Sequence, residues 1–290
     1  MPKKYQSPTS INTYLRCPRK YYLRYIKRLK SGPSIHLIRG KAVHETIAQF
    51  SQMKFDRSAD SETTNNTLLD LFGKNWRRQN SEIQRLILDA KTIDEFYSES
   101  QEMLLGWLKR YSQKGYGRPK TGIKLFSKTH GVMGIVDAVF TDNGRIILLD
   151  YKTGKKNEIT EDIKVQLAIY TLLYREKFGR MPDIVAIDFL KHQEERRFRA
   201  SEKLIQYAAQ LCTDTHKKRS QIMKKITPAN AAAGAIRNLL WTMEEVKSRL
   251  RQLKPFIGKK ADRIWVRYTT ADKFESRKWE QMVNLLAEKY

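Results

Sequence analysis

Two cysteines in 290 residues, Cys17 and Cys212, exclude a disulfide framework and a four-thiolate metal site. Both are expected to be buried small hydrophobes. No apolar run approaches the ~20 residues that a membrane-spanning helix needs. No apolar stretch follows the basic start Met1-Pro2-Lys3-Lys4-Tyr5, so no secretory signal is expected. The expectation is a soluble cytoplasmic protein that does not engage membrane. Acids are missing altogether from the first 41 positions, which hold eleven Lys or Arg; the first carboxylate is Glu45. Internal repeats and long low-complexity linkers are absent too.

What is abundant is positive charge. Lys and Arg number 56 against 31 acids, a net charge of +25. Five tyrosines, Tyr5, Tyr14, Tyr21, Tyr22 and Tyr25, lie among the N-terminal cations. Cations neutralise phosphates and aromatic faces stack on exposed bases, so the segment is expected to guide a nucleic-acid strand. Charge alone fits anionic lipid or a solvated surface as well.

Helical periodicity follows an N-cap at Ser7-Pro8-Thr9-Ser10, through Ile11, Tyr14 and Leu15, and again from about Gly40 to Met53 with Val43, Ile47 and Phe50 inward. The polar stretch 54–66 reads as a loop. Further helices are expected over 67–79 and 93–112, ended by Gly115-Tyr116-Gly117-Arg118-Pro119. Three short β-rich runs, 123–129, 132–140 and 145–151, form a meander with a turn at Asp142-Asn143-Gly144. Thr160 then caps a helix with Ile163, Leu167, Tyr170 and Tyr174 inward, stopped by Gly179. A strand at 184–190 pairs with 194–199, and the rest is helical apart from a strand at 263–268. This predicts one domain over 1–290: a mainly helical N-terminal region (1–120), an α/β core (121–200), and a basic, mainly helical C-terminal region (201–290).

Ile146-Ile147-Leu148-Leu149 predicts a strand buried on both faces, running into Asp150-Tyr151-Lys152. Alternation puts Asp150 and Lys152 on one face and Tyr151 on the other. Buried charges there must be paired, metal-bound or at a cleft. Three other Asp/Glu-x-Lys triplets, at Asp89, Asp162 and Glu245, have helical or polar contexts, where a solvated face suffices. Only Asp150 has a second acid, Asp137, at the end of the preceding strand. Two carboxylates drawn together by a hairpin repel unless a cation intervenes. His44 alone would be an ordinary core histidine. Gln166 and Tyr170 share a helix face at i, i+4. His36, His130, His192 and His216 have no ligand-like spacing.

The ordered set Gly40-x-x-x-His44, Gly134-x-x-Asp137, Asp150-x-Lys152-Thr153-Gly154 and Gln166-x-x-x-Tyr170 resembles the RecB-type branch of the PD-(D/E)XK nucleases. That branch includes nuclease domains of recombination helicases and CRISPR-associated RecB-like exonucleases. Ser10-Ile11-Asn12-Thr13-Tyr14 and Cys17-Pro18-Arg19-Lys20-Tyr21 resemble its N-terminal signature. The likeness spans residues 7 to about 174. It implies a restriction-endonuclease-like α/β fold: a central mixed sheet flanked by helices, with helical additions at both ends. It also implies a Mg²⁺- or Mn²⁺-dependent nuclease acting on DNA, most naturally an exonuclease on single strands or ends in repair, recombination or CRISPR-like processes. His44, Asp137, Asp150 and the Tyr151 carbonyl would hold the metal. Lys152 would orient water or stabilise charge, and Gln166 and Tyr170 would position the strand or Lys152. The family's iron–sulfur members use four cysteines, so no cluster is expected. Ile123-Lys124-Leu125 stands where many members carry a further acid. The alternatives are a non-catalytic nucleic-acid-binding subunit of the same fold, or a basic scaffold with no site.

Overall fold

A computed structural model describes residues 5–29, 32–53, 60–86, 88–114 and 117–225. The chain clusters into two compact units, residues 1–217 and 218–290. The expected strand at 263–268 lies outside the described residues. Among those residues, no helix is long and apolar enough to cross a membrane.

The elements run in the order α1 (Pro8–Arg16), α2 (Pro18–Tyr21), a π-helical turn (Tyr22–Ile26), α3 (Ile35–Gln52), α4 (Ser61–Arg77), α5 (Asn80–Ile83) and α6 (Ala90–Gln113). Then follow β1 (Lys120–Ser127), β2 (Val132–Asp142), β3 (Arg145–Lys152), α7 (Glu161–Phe178), β4 (Ile184–Phe189), a 3₁₀ turn (Leu190–His192), β5 (Glu194–Arg199) and α8 (Glu202–Lys225). The sheet order is β1-β2-β3-β4-β5, with every pair antiparallel except β3 and β4. This is the expected mixed sheet, and its two faces bury separate cores. Val136, Leu148, Val185 and Ile187 pack with Ile11 of α1, the apolar face of α7, and Ile205 and Ala208 of α8. Ala138, Ile147, Leu149 and Tyr151 pack against α3, α4 and α6.

Local chemistry explains the boundaries. Asn143 and Gly144 both take positive φ, 48° and 76°, which the tight β2–β3 turn requires. Gly179, at φ 66°, ends α7 and donates its N–H to Arg175 O at 2.8 Å. Thr160 has the extended backbone of an N-cap but its side chain makes no capping bond, contrary to expectation. The polar stretch from 61 is helix rather than loop, because Asp60 caps α4 through the Thr63 N–H at 2.7 Å. α3 begins at Ile35, five residues before Gly40.

The N-terminal aromatics need correction. Tyr14 and Tyr21 are buried, edge to face at 5.5 Å, and offer no face to a ligand. Leu15 is exposed instead. Cys17 is half-buried rather than core, and its Sγ accepts the Lys20 N–H at 3.4 Å as the cap of α2. Cys212 is buried as expected, and burial pushes its thiol up to about 12.

Behind β3, Asp188 of β4 meets Arg110 of α6 at 2.7 Å. Burial raises the Asp188 carboxyl above its ordinary value, outweighing Arg110. The folded chain therefore holds this proton more tightly than the unfolded chain, and stability falls as pH rises from about 4 through the folded value. Asp188→Asn removes that dependence. In melting curves across this range, the Tm difference between variant and wild type should move in the variant's favour as pH rises. A pH-independent difference would contradict it.

Candidate active site

The sheet opens where the site forms. β2 and β3 pair from Asp142↔Arg145 to Ala138↔Leu149, and pairing stops before Asp137 and Asp150. Asp137 Oδ2 accepts the Tyr151 backbone N–H at 3.0 Å, so one carboxylate spans the gap between the strands. His44, from the middle of α3, brings Nδ1 to 3.2 Å from the same oxygen. The Tyr151 ring lies edge-on to His44 and to Trp107 on the far side of β3, as alternation predicted.

Asp150 and Lys152 share the opposite face, also as predicted. Lys152 Nζ sits 2.6 Å from Asp150 Oδ2 and donates to Gln166 Oε1 at 2.7 Å. Gln166 Nε2 donates to Asp150 Oδ1 and to the Tyr170 hydroxyl, at 2.7 and 2.8 Å. Tyr170 OH is 3.5 Å from Asp150 Oδ1. The i, i+4 pair on α7 thus braces Asp150 and Lys152 together. All seven expected site residues fall into two adjoining groups: His44, Asp137 and Tyr151; and Asp150, Lys152, Gln166 and Tyr170.

Burial disfavours charge on His44, Asp137, Asp150 and Tyr170, and partners decide who keeps it. Burial lowers His44, but the Asp137 carboxylate outweighs it and the imidazole ends above its ordinary value. Burial raises Asp137, but His44 and the Tyr151 N–H overcome it and hold the carboxyl below its usual range. Asp150, with a side chain 3% exposed, goes the other way. Burial raises it, Lys152 opposes, and Asp137 adds to the rise. Burial likewise lifts Tyr170 well above its ordinary value, with Asp150 adding to it.

The donor set suits a hard divalent ion: two carboxylates, a backbone carbonyl and one imidazole. The Lys152 contact to Asp150 Oδ2 is close but off the line of a hydrogen bond, so this buried oxygen has no hydrogen-bond donor. Among the described residues, no three His, Cys, Asp or Glu side chains converge to hold an ion as they stand. Asp150 is turned toward Lys152 and Gln166.

Glycine explains one motif and not another. A Cβ at Gly134 would lie 2.8 Å from the Tyr170 ring, so the absent side chain lets α7 approach β2. At Gly40 a Cβ would meet only Thr153 Oγ1 at 3.6 Å, so no steric necessity holds there.

Sequence reasoning missed Arg39. It is wholly buried and donates to Thr153 O at 2.5 Å and to Glu99 at 3.0 Å. It ties the helix carrying His44 to the residue after Lys152. Lys191 also donates to Glu99, at 2.8 Å. Among eleven N-terminal cations, only its place just before Gly40 set this one apart.

The model of the PD-(D/E)XK nuclease superfamily matches residues 5–289. Among solved structures, an exonuclease candidate from Eubacterium rectale is 16% identical, covering 78% of this chain and 83% of its own, with a TM-score of 0.48. SSO0001 is 19% identical over 48% of this chain and 68% of its own, with a TM-score of 0.27. No curated protein matches.

Proposed function

Since the chain belongs to the PD-(D/E)XK nuclease superfamily and is a hydrolytic nuclease, we propose that it is a Mg²⁺- or Mn²⁺-dependent deoxyribonuclease of the RecB-type branch. The observation that carries this is the hydrogen-bonded chain Lys152–Gln166–Asp150 beside the His44–Asp137 pair. His44, Asp137, Asp150 and the Tyr151 carbonyl are the proposed ligands, and the imidazole favours Mn²⁺ over Mg²⁺. When bound, the divalent ion supplies charge neutralisation at the phosphodiester and an acidified water.

The remaining roles belong to the side chains. Asp137, held ionised by His44 and the Tyr151 N–H, presents negative charge without a proton to lose. Lys152 lies within reach of both Asp150 and Gln166, so its ammonium can hold the attacking water or a phosphate oxygen as negative charge develops. Gln166 accepts from Lys152 while donating to Asp150, which fixes the direction of both. Tyr170 stays a neutral phenol and serves as a brace.

The substrate proposed is DNA, cut from single-stranded or duplex ends in repair, recombination or CRISPR-like processes. The excess positive charge supports a polyanionic substrate, and no iron–sulfur cluster is invoked. Linear and covalently closed single-stranded DNA, each incubated with Mn²⁺, separate the modes. Digestion of the linear form alone is expected. Equal loss of the closed circle would replace the exonuclease by an endonuclease.

A further inference from the structure

The outer face of the β1–β2 hairpin is apolar where water should meet it. Leu125 and Ser127 of β1 and Val132, Gly134 and Val136 of β2 point inward. Their alternates, Lys124, Phe126, Met133 and Ile135, therefore share the other face. Register pairs them side by side, Lys124 with Ile135 and Phe126 with Met133. Phe126 is 51% exposed and Ile135 45%, unusual for such large apolar groups on one patch. Tyr5 extends it, its ring 6.1 Å from Phe126. The backbone there is pinned, since Gln6 donates to Gly131 O and accepts from the Met133 N–H.

The patch leads into the site. Asp137 lies two residues beyond Ile135 on the same strand, roughly 6.6 Å further along. Lys124 and Lys128 are exposed, and among the described residues neither meets an acid. A row of apolar side chains with unpaired cations suits a strand whose bases are unstacked and whose backbone is anionic. Four apolar side chains are too few for a stable protein interface, which covers about 800 Å² per partner.

We infer that Tyr5, Phe126, Met133 and Ile135 form a stacking platform for the unpaired bases of a single nucleic-acid strand approaching Asp137. The inference rests on the nuclease reading and gives it a substrate class. Bases inside a duplex have no free faces to lay on the platform, so the chain takes single strands in preference to intact duplex.

The test is fluorescence anisotropy in EDTA, with labelled oligo(dT) and a labelled hairpin duplex. Wild type is compared with the Phe126→Ser/Ile135→Ser double variant and with Phe126→Trp. The double variant should bind oligo(dT) about 10-fold or more weakly, while Phe126→Trp holds wild-type affinity. Duplex affinity, the salt dependence of binding and Tm should not move, because stacking releases no counterions. Unchanged oligo(dT) affinity in the double variant would overturn the platform, and so would equal losses for both ligands. A wild-type dimer that the double variant dissolves, with oligo(dT) binding intact, would assign the face to a second copy and also overturn it. If wild type cuts labelled strands while the platform fails, the nuclease reading stands. If wild type neither binds nor cuts, both fall.

Discussion

Asp150→Asn is expected to lose cleavage by roughly 10³-fold while melting no lower than wild type in metal-free buffer. Two different properties of Asp150 lead to this. Its charge is the one a bound cation would need, and Lys152 and Gln166 are oriented on it. The same charge is a liability to the fold, because burial disfavours it and the Asp137 carboxylate repels it. Asparagine keeps the shape and an oxygen for Gln166, and removes the repulsion. Activity and stability should therefore move in opposite directions, as they do at sites whose groups are placed for chemistry rather than for packing. Cleavage within about 10-fold of wild type would remove Asp150 from the reaction.

Asp137→Ala is expected to weaken Mn²⁺ binding by more than about 100-fold in calorimetric titration, since loss of an outer-shell partner alone costs 10–100-fold. Asp137 is the junction of the site: its Oδ2 meets both the His44 imidazole and the Tyr151 N–H. Alanine leaves both without their acceptor, so some loss of Tm accompanies the loss of metal. Asp137→Asn separates these effects, because its amide oxygen still accepts from Tyr151 while the charge is gone. The asparagine variant should keep most of its Tm and still fail to bind Mn²⁺ at wild-type affinity. Unchanged isotherms in both variants would sink the ligand assignment.

Much of this was legible because the site sits on regular elements. The apolar run before Asp150 and the period of two told which residues share a face, and the structure agrees for Asp150, Tyr151 and Lys152. The i, i+4 spacing of Gln166 and Tyr170 likewise survived folding intact. The ordered motifs carried more than any single residue, since His44 taken alone reads as core. What could not be read depends on contacts far apart in sequence. Arg39 is functional in appearance only once Thr153 and Glu99 are beside it. Tyr14 and Tyr21 look like stacking groups among cations until the fold buries them. The platform on Phe126 and Ile135 is invisible as well, because its pairing depends on the register of β1 against β2.

The most direct measurement is cleavage of end-labelled single-stranded and duplex DNA by wild type in Mg²⁺, Mn²⁺ or EDTA, with Asp150→Asn alongside. The account predicts cutting that needs the metal, is stronger on the single strand, and disappears in the variant. Cutting that persists in EDTA or in Asp150→Asn, or binding with no cutting in either metal, would contradict it.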